Sequence, residues 1–422
     1  MAVVTTSISP GTSHDTAVDI TGVSGSGPWT VTLDDASAAV VGDALWDEHA
    51  TPRKYLITAV SGNDLTVRDS EGVGSAPDDS GTSIAYIKRY YTTITLWEAD
   101  LDDTGLYANG DDAVGECYKD AAFDESVTID GGGTVGLASV TLTVAESDRH
   151  DGTAGTGARI VRSTTENPIV LSNGRATTIA EWLEVTSSVS RNANRSFIEI
   201  AGVERGQTYH IRNTICHSLL AGSQNYRAYH GIKVDGKAGS NRYVHNNIVY
   251  DINHASGGSP CGIKVGGASW ASAFNNTVFD VADADGTGGT GISVSVTSAQ
   301  NNIAVDSGAS DFSFSGDGTE SHNLSSDATA SGTGSLTNKS SADQFVSTVG
   351  GSEDLRLKLG AHAINAGTDL ETTPAGVNID ITGRDRHAEG DVWDIGAHEY
   401  VAVAAAGFFA RRYYDNLLAG GA

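Results

Sequence analysis

The sequence predicts an all-β solenoid, a chain that winds into successive coils of short parallel strands. One six-residue motif recurs in fixed order, as Asn-Asn-Ile-Val-Tyr-Asp at 246–251, Asn-Asn-Thr-Val-Phe-Asp at 275–280 and Asn-Asn-Ile-Ala-Val-Asp at 301–306. A second motif alternates with it, as Gly-Ile-Lys-Val at 231–234 and 262–265 and as Gly-Ile-Ser-Val at 291–294. Recurrence of two short elements in a constant order is typical of a solenoid.

The spacing and patterning of both motifs indicate strands. Aligned on the second Asn, with a poorer first copy at Asn213, the first motif recurs in steps of 34, 29 and 26 residues. Apolar residues alternate with other residues inside each motif, as Ile232 and Val234 do. A period of two indicates a strand and not a helix. Equivalent strands of successive coils then pair in parallel about 4.8 Å apart, and their inward side chains stack.

The recurring Asn pair has two interpretations. At a bend between strands, a side-chain amide satisfies turn backbone groups and tolerates left-handed dihedral angles. Repeated in every coil, such amides form a ladder along the solenoid axis. The alternative is a sugar site lined by Asn. The ladder is favoured, because bend geometry already explains the residue type and its position.

The repeat resembles that of right-handed parallel β-helix proteins of the pectate-lyase-like superfamily, of the type found in phages and environmental bacteria. The resemblance covers residues 120–345 and is best at 195–310. It implies a right-handed parallel β-helix. It implies no single activity, because this fold carries lyases, hydrolases, phage tailspikes, capsid decorations and adhesins.

The chain before the β-helix divides into two predicted segments. Residues 1–88 are rich in Ser, Thr, Gly and Asp, and we expect a small N-terminal β-domain there. Residues 89–130 contain a capping-box pattern, Thr95-Leu96-Trp97-Glu98, which predicts a short helix that covers the first coil. The first strands of the solenoid follow it, and the parallel β-helix proper is predicted over 131–345.

A closing segment is predicted over 346–400. Its series of short motifs, ending in Asp-Ile-Gly-Ala-His-Glu-Tyr, resembles the C-terminal closing segment of pectate-lyase-like β-helix proteins. We expect Asp380, Arg384, Asp394 and Glu399 to form an ion network at the last coil. A structural role is favoured over catalysis, since charge clusters are often structural.

The last segment, 401–422, is predicted to be a short helical docking tail. Its apolar candidates for contact are Phe408, Phe409, Tyr413, Tyr414, Leu417 and Leu418. Phe409, Tyr413 and Leu417 are four residues apart and share one helical face. A helix of this length is marginal alone in water, so we expect it to dock, with a partner favoured over its own β-helix.

Charge and composition exclude several classes of protein. With 26 basic and 53 acidic residues the net charge is −27, which argues against nucleic acid as a partner. The N-terminus lacks the basic and apolar regions of a signal peptide, and no segment has the length of a membrane span. Production in the host cytoplasm is therefore expected. The three Cys have no metal-like spacing, so no disulfide, metal or cofactor is predicted.

Positive charge is concentrated at 186–245, which is locally +5 and leaves −32 for the remainder. This cationic band could grip an anionic glycan or the acidic flank of another subunit. Its candidate contact residues are Arg227, Tyr229, His230, Lys233 and Arg242. Scattered solvated charge is the open alternative.

No catalytic residue is predicted. Nucleophile motifs, phosphate-binding loops and His or Cys metal spacings are missing from the sequence. The repeat carboxylates Asp251, Asp280 and Asp306 are expected at a turn that faces water, because stacked like charges repel.

These observations favour a structural surface protein of a phage virion, either a capsid decoration or a tailspike-like or fibre-like β-helix appendage. We expect a homo-oligomer, most simply a trimer, that docks on capsid or tail proteins. A polysaccharide lyase or hydrolase acting on an acidic cell-surface glycan is the alternative. An extracellular adhesin is the third hypothesis.

Overall fold

The structure is a computed structural model. It describes residues 2–402 except 13, 49–51, 80–83, 173, 190–194, 203–204, 221–228, 236–238, 255–257, 267–269, 284, 296–297, 317 and 391. The described strands, β1 to β31 in chain order, are Val3–Ile8, Thr16–Gly25, Trp29–Leu33, Ala44–Asp47, Arg53–Ser61, Asp64–Asp69, Ile84–Lys88, Asp112–Cys117, Val127–Ile129, Ser139–Val144, Arg159–Arg162, Ile169–Leu171, Thr177–Glu181, Glu184–Ser187, Arg195–Ile200, Thr208–Arg212, Ile215–Leu220, Tyr229–Val234, Asn241–His245, Ile248–His254, Cys261–Val265, Ala271–Phe274, Thr277–Asp283, Thr290–Ser295, Ser298–Gln300, Ile303–Ser307, Ser310–Ser315, Thr319–Ser321, Leu324–Ser325, Phe345–Ser347 and Asp354–Leu357. The α-helices α1 to α3 are Ile94–Ala99, Ser341–Gln344 and Arg386–Glu389, and the 3₁₀ turns are Asp100–Asp102 and Glu146–Asp148.

Three parallel sheets build a β-helix. Sheet 1 has the order β1-β8-β10-β13-β16-β19-β22-β25-β28, sheet 2 has β11-β14-β17-β20-β23-β26-β29, and sheet 3 has β9-β12-β15-β18-β21-β24-β27. In the regular region the chain passes through sheets 1, 2 and 3 once per coil. Equivalent residues pair from coil to coil, as Ile232 does with Ile263 and Ile263 with Ile292. The predicted all-β, parallel β-helical fold is confirmed.

The glycine of the second motif is explained by close packing between sheets 2 and 3. A Cβ atom on Gly262 would lie 2.4 Å from Val278 Cγ1 and 2.7 Å from the backbone oxygen of Gly291. Gly231 has equally close neighbours, 2.3 Å from Val249 Cγ1. Glycine therefore recurs because each coil leaves no room for a side chain at this corner of the core.

The N-terminal strand corrects the predicted boundary of the small domain. β2 to β7 form a closed barrel. β1, however, pairs in parallel with β8 and belongs to sheet 1 of the β-helix. The barrel is thus an insertion between the first two strands of that sheet, and its strands lie between Thr16 and Lys88 and not from residue 1.

Helix α1 lies where the capping helix is predicted, but it begins two residues earlier than the capping box indicates. Its N-cap is Thr93, whose hydroxyl accepts from the Leu96 amide at 3.0 Å. Thr95 lies inside the first turn, and its amide donates to the Glu125 carboxylate at 2.8 Å. Trp97 is fully buried in the core of the first coils.

The chain after β29 lies along the outside of sheet 2. We call residues 345–400 the covering segment. Its buried apolar residues pack on outward residues of sheet 2, and this cluster includes Ile215, Ile248, Ile303, Leu324, Phe345, Leu355, Leu357, Ala363, Ile381, Ile395 and Ala397. The segment therefore does not stop at the last coil, as predicted, but reaches back over several coils. The outward apolar residues of sheet 2 are consequently buried, whereas Asp251 and Asp280 on the same sheet stay half-buried and Asp306 is exposed.

The predicted docking tail at 401–422 lies outside the described residues apart from 401 and 402, and so do all six of its named apolar residues. Within the described ranges, no helix combines the length and the apolar character needed to span a bilayer.

Candidate functional site

The Asn pairs form the corner between sheets 1 and 2, and the two members of each pair face opposite ways. The first Asn has left-handed backbone geometry, with φ of 57° at Asn246 and 51° at Asn275. The second Asn is fully buried inside the corner. Asn276 Oδ1 accepts from the Asn247 amide at 3.1 Å and from Asn247 Nδ2 at 3.0 Å. Asn276 Nδ2 donates to Asn302 Oδ1 at 3.0 Å.

The predicted Asn ladder is therefore confirmed, and it extends beyond the three clear repeats. Asn302 donates from its amide and its Nδ2 to Asn323 Oδ1, at 3.0 and 3.1 Å. At the other end, Thr214 donates from its amide and hydroxyl to Asn247 Oδ1, at 3.0 and 2.8 Å. Thr214 thus occupies the ladder position of the first copy. The alignment that placed Asn213 there is one residue out of register.

The first Asn of each pair has a role that the sequence did not indicate, since its side chain binds the covering segment. Asn213 Nδ2 donates to the backbone oxygens of residues 379 and 380, at 3.1 and 2.7 Å. Asn246 and Asn275 both donate to the backbone oxygen of Val377, at 3.1 and 3.0 Å. Asn301 Nδ2 donates to the backbone oxygen of Thr368 at 2.7 Å, and Asn301 Oδ1 accepts from the Thr368 amide at 2.9 Å. The second Asn of each pair therefore links successive coils by hydrogen bonds, and the first Asn links the covering segment to the β-helix.

The ion network of the covering segment differs from the predicted one in its cation. Arg386 is fully buried and donates to Glu399 Oε2 at 2.7 Å, whereas Arg384 is exposed. Asp380 accepts from the amides of Arg384 and Glu399, each at 2.9 Å. Burial raises the pKa of the Asp394 carboxyl, which accepts from two backbone amides of the same segment. These bonds organise the segment's backbone and fit the predicted structural role.

Most of the cationic band's candidate contact residues are enclosed by the fold. Arg227 lies outside the described residues. Tyr229 and Arg242 are 0% exposed and His230 is 4% exposed. Burial lowers the pKa of His230 to about 3. None of these three described side chains is open to a ligand, because each packs into the core or between neighbouring coils.

Lys233 is the accessible member of this set, and it is already paired. Its Nζ lies 2.9 Å from Glu199 and 2.5 Å from Asp235. These carboxylates raise the pKa of the ammonium against the effect of burial. Glycan or subunit contact at this band stays a prediction, and its half-buried candidate among the described residues, Lys233, already has its charge compensated.

A carboxylate column runs along the outer face of sheet 2. Asp251, Asp280 and Asp306 have φ of 54°, 53° and 58°, and all three lie inside strands and not at the expected turn. The three residues occupy equivalent positions of successive coils. Burial raises the pKa of Asp280, and the neighbouring charges of Asp251 and Asp306 raise it further. Asp306 accepts from the hydroxyl of Ser341, and Asp251 accepts from Asn253 Nδ2.

The described residues contain no group of three or more His, Cys, Asp or Glu that could hold a metal ion. Cys117, Cys216 and Cys261 are all free and buried. Burial raises the pKa of Cys216 and of Cys261 to about 12, so these thiols stay protonated at neutral pH.

Comparison with known proteins adds little. No family model matches the chain, and no curated protein matches it. Among solved structures, it is similar to the tailspike protein gp49 from Pseudomonas phage LKA1, with 14% identity over 79% of this chain and a TM-score of 0.17. The chain spans 64% of that tailspike's length. The β-helical fold therefore rests on the chain's own three sheets and their coil-by-coil register.

Proposed function

We propose that this chain is a structural surface protein of a phage virion, a capsid decoration or a tailspike-like appendage built on a pectate-lyase-like β-helix. In this role copies associate laterally, most simply as trimers. The aromatic tail at 401–422 docks on capsid or tail proteins, and the barrel projects from the other terminal region.

The hydrogen bonds of the repeat carry this proposal. The most frequently repeated polar side chains of the chain serve its own backbone, as Asn276 does in the ladder and Asn275 does at the covering segment. A column of satisfied amides beside a covered sheet resists unwinding, because a buried amide that loses its partner costs about 1–3 kcal/mol. Such a build is suited to a protein that bears load or survives outside a cell.

Immunoelectron microscopy of purified virions tests the proposal. An antibody against the barrel is expected to label many sites per particle, on the capsid or on the tail. Virions that carry no label would refute a virion role. A chain shortened by residues 404–422 is expected to keep its thermal midpoint but to leave the particle. Unchanged labelling of those virions would instead remove the tail as the anchor.

The carboxylate column favours a second function, cleavage of an acidic glycan. A carboxyl whose pKa is raised beside other carboxylates can act as a general acid, as Asp280 could between Asp251 and Asp306. The backbones of adjacent coils are about 4.8 Å apart, and retaining glycosidases hold their two carboxyl groups roughly 5 Å apart.

A panel of acidic polysaccharides tests this second function, with new reducing ends and unsaturated products as readouts. Asp280→Asn is expected to lower a hydrolytic rate about 100-fold or more, because it removes the general acid. Asp19→Asn, at an exposed carboxylate of the barrel, is the matched control. No product from any polysaccharide, or full activity in Asp280→Asn, would exclude this site.

A further inference from the structure

A serine, a histidine and a glutamate are joined by hydrogen bonds on the outer face of sheet 2. His217 Nδ1 lies 3.1 Å from Ser218 Oγ, and His217 Nε2 lies 3.0 Å from Glu184 Oε1. Glu184 Oε2 accepts from the Gly155 amide, so both oxygens of this carboxylate are bonded. The contacts run from a hydroxyl through an imidazole to a carboxylate, which is the arrangement that activates a nucleophilic serine.

Two of these residues interrupt the apolar pattern of this face. In the next coil, Glu184 pairs with Ile215 and His217 pairs with Tyr250, and both partners belong to the apolar cluster under the covering segment. The Tyr250 ring stacks on the His217 ring, with 5.0 Å between centroids and 9° between planes. Apolar residues satisfy the packing of these columns, so packing does not account for a Glu and a His.

Ser218 has strained backbone geometry at the head of the carboxylate column. Its φ is 57°, against 54° at Asp251. The residues on either side of Ser218 pair with those on either side of Asp251, so the two positions are equivalent. A serine therefore stands where the following coils have Asp, a residue that tolerates left-handed geometry better. Nucleophilic serines of α/β-hydrolases lie on similarly strained backbone, which exposes the hydroxyl.

The hydrogen bonds determine which nitrogen of His217 carries the proton. Burial alone would raise the pKa of Glu184, but the bonds from His217 and from the Gly155 amide lower this pKa below its usual value. Glu184 is therefore ionised at neutral pH and only accepts. In the neutral ring the hydrogen then lies on Nε2, and the lone pair of Nδ1 faces the Ser218 hydroxyl. The two nitrogens have exchanged the roles that they have in serine proteases, and the direction of proton transfer is the same.

We propose that Ser218, His217 and Glu184 hydrolyse esters of small acyl groups, such as the O-acetyl groups of a glycan. Ser218 Oγ attacks the carbonyl carbon while His217 Nδ1 takes the hydroxyl proton. His217 returns this proton to the alcohol oxygen as the ester C–O bond breaks, which leaves the acyl group on Ser218. Water then attacks the acyl carbon and gives a proton to His217. The carboxylic acid leaves, and Ser218 Oγ regains its proton from His217.

The surroundings favour a small, uncharged acyl group. The Ser218 residue is half-buried, and the His217 side chain is 14% exposed, so the acyl group must be short. The carboxylates of Glu184 and Asp251 disfavour an acyl group that carries its own negative charge, and they stabilise the imidazolium that forms during the attack. This activity goes beyond the proposed virion role and does not rest on it, since it needs neither the tail nor an oligomer.

Two measurements on the full chain test the site. The first is the hydrolysis of p-nitrophenyl acetate, followed by the release of nitrophenolate. The second is reaction with a fluorophosphonate probe, in which the serine oxygen displaces fluoride from phosphorus, and peptide mass spectrometry locates the adduct. The unmodified protein is expected to hydrolyse the ester and to carry one adduct, at Ser218.

Three variants assign the roles. Ser218→Gly keeps the left-handed backbone without strain, and His217→Gln keeps a donor for Glu184. Each is expected to lower the hydrolytic rate about 100-fold or more and to abolish the adduct, because the nucleophile or its base is lost. Glu184→Gln is expected to lower kcat at an unchanged KM, because Glu184 positions the ring and does not touch the ester. Ser313→Ala, at an exposed serine of β27, is the matched control and is expected to change neither readout.

The proposal fails if the probe leaves Ser218 unmodified in the folded protein, or if it labels exposed Ser313 as readily as Ser218. It also fails if Ser218→Gly or His217→Gln hydrolyses the ester at the rate of the unmodified protein. Circular dichroism establishes that each variant is folded, and the labelling of the unmodified chain needs no variant. Virions without antibody label would refute the virion role and leave this activity standing, so the two proposals are tested separately.

Discussion

Replacing Asn276 by Ala removes one rung of the amide ladder. The side chain is fully buried and makes four hydrogen bonds, two to Asn247, one to Val244 and one to Asn302. The Asn247 amide loses its acceptor outright, which costs about 1–3 kcal/mol. Each of the other three lost bonds costs about 0.5–1.5 kcal/mol. Because such terms overlap, the expected loss of unfolding free energy is about 3–5 kcal/mol.

The neighbouring residue supplies a matched control. Asn275→Gly keeps the left-handed backbone, which glycine adopts without strain. It removes only the side-chain bond to Val377 at 3.0 Å. The expected loss is about 0.5–1.5 kcal/mol, since one hydrogen bond disappears and no ladder group is orphaned.

Urea denaturation followed by circular dichroism measures both variants, and hydrogen exchange locates the damage. Asn276→Ala is expected to speed amide exchange in the coils on either side of it. Asn275→Gly is expected to speed exchange mainly in the covering segment near Val377. Equal destabilisation by the two substitutions, or a loss below about 1 kcal/mol for Asn276→Ala, would refute the assignment of inward and outward roles.

Three further predictions follow from packing, burial and pairing. Gly262→Ala is expected to lower stability by about 1–3 kcal/mol in urea denaturation through overpacking, while Gly350→Ala, which has open space around it, stays neutral. Buried His210 has a pKa lowered to about 3, against about 6.5 when unfolded, so the unfolded chain takes up its proton first. The contribution of neutral His210 to stability is therefore complete above pH 6.5 and falls towards pH 3. The thermal midpoint of His210→Asn is expected to decline less steeply over that range than that of the unmodified protein. Arg386→Met is expected to cost about 3–5 kcal/mol by leaving Glu399 unpaired, and Arg386→Met with Glu399→Leu to recover much of that loss in the same assay.

The solenoid and its ladder could be predicted because their signals are local and repeated. Each Asn pair marks a corner, and each glycine of the second motif marks a close approach, so the register of the coils follows from the spacing. The one-residue error at Asn213 arose because Thr214 replaces the ladder Asn, and its hydroxyl donates to Asn247 Oδ1 as an Asn Nδ2 would.

The packing of the covering segment on sheet 2 could not be predicted, because its contacts are distant in sequence. Ile248 and Tyr250 alternate like any strand residues, and nothing local indicates that their outward face is buried by chain about 100 residues later. The same difficulty applies to the ion network. The sequence correctly indicated Glu399 as a member, but it indicated Arg384 as the cation, whereas Arg386 is the residue bonded to Glu399. The insertion of the barrel after β1 likewise depends on a pairing over 100 residues apart.

Hydrogen exchange of the covering segment in the unmodified protein tests the central claim, that this segment is bonded to the outside of the β-helix. The Gly396 amide donates to the Asn301 backbone oxygen at 2.7 Å, and the Ala397 amide donates to the Thr277 hydroxyl at 3.0 Å. The structure predicts that both amides exchange as slowly as those of the central strands. Exchange at the rate of an open chain would contradict it.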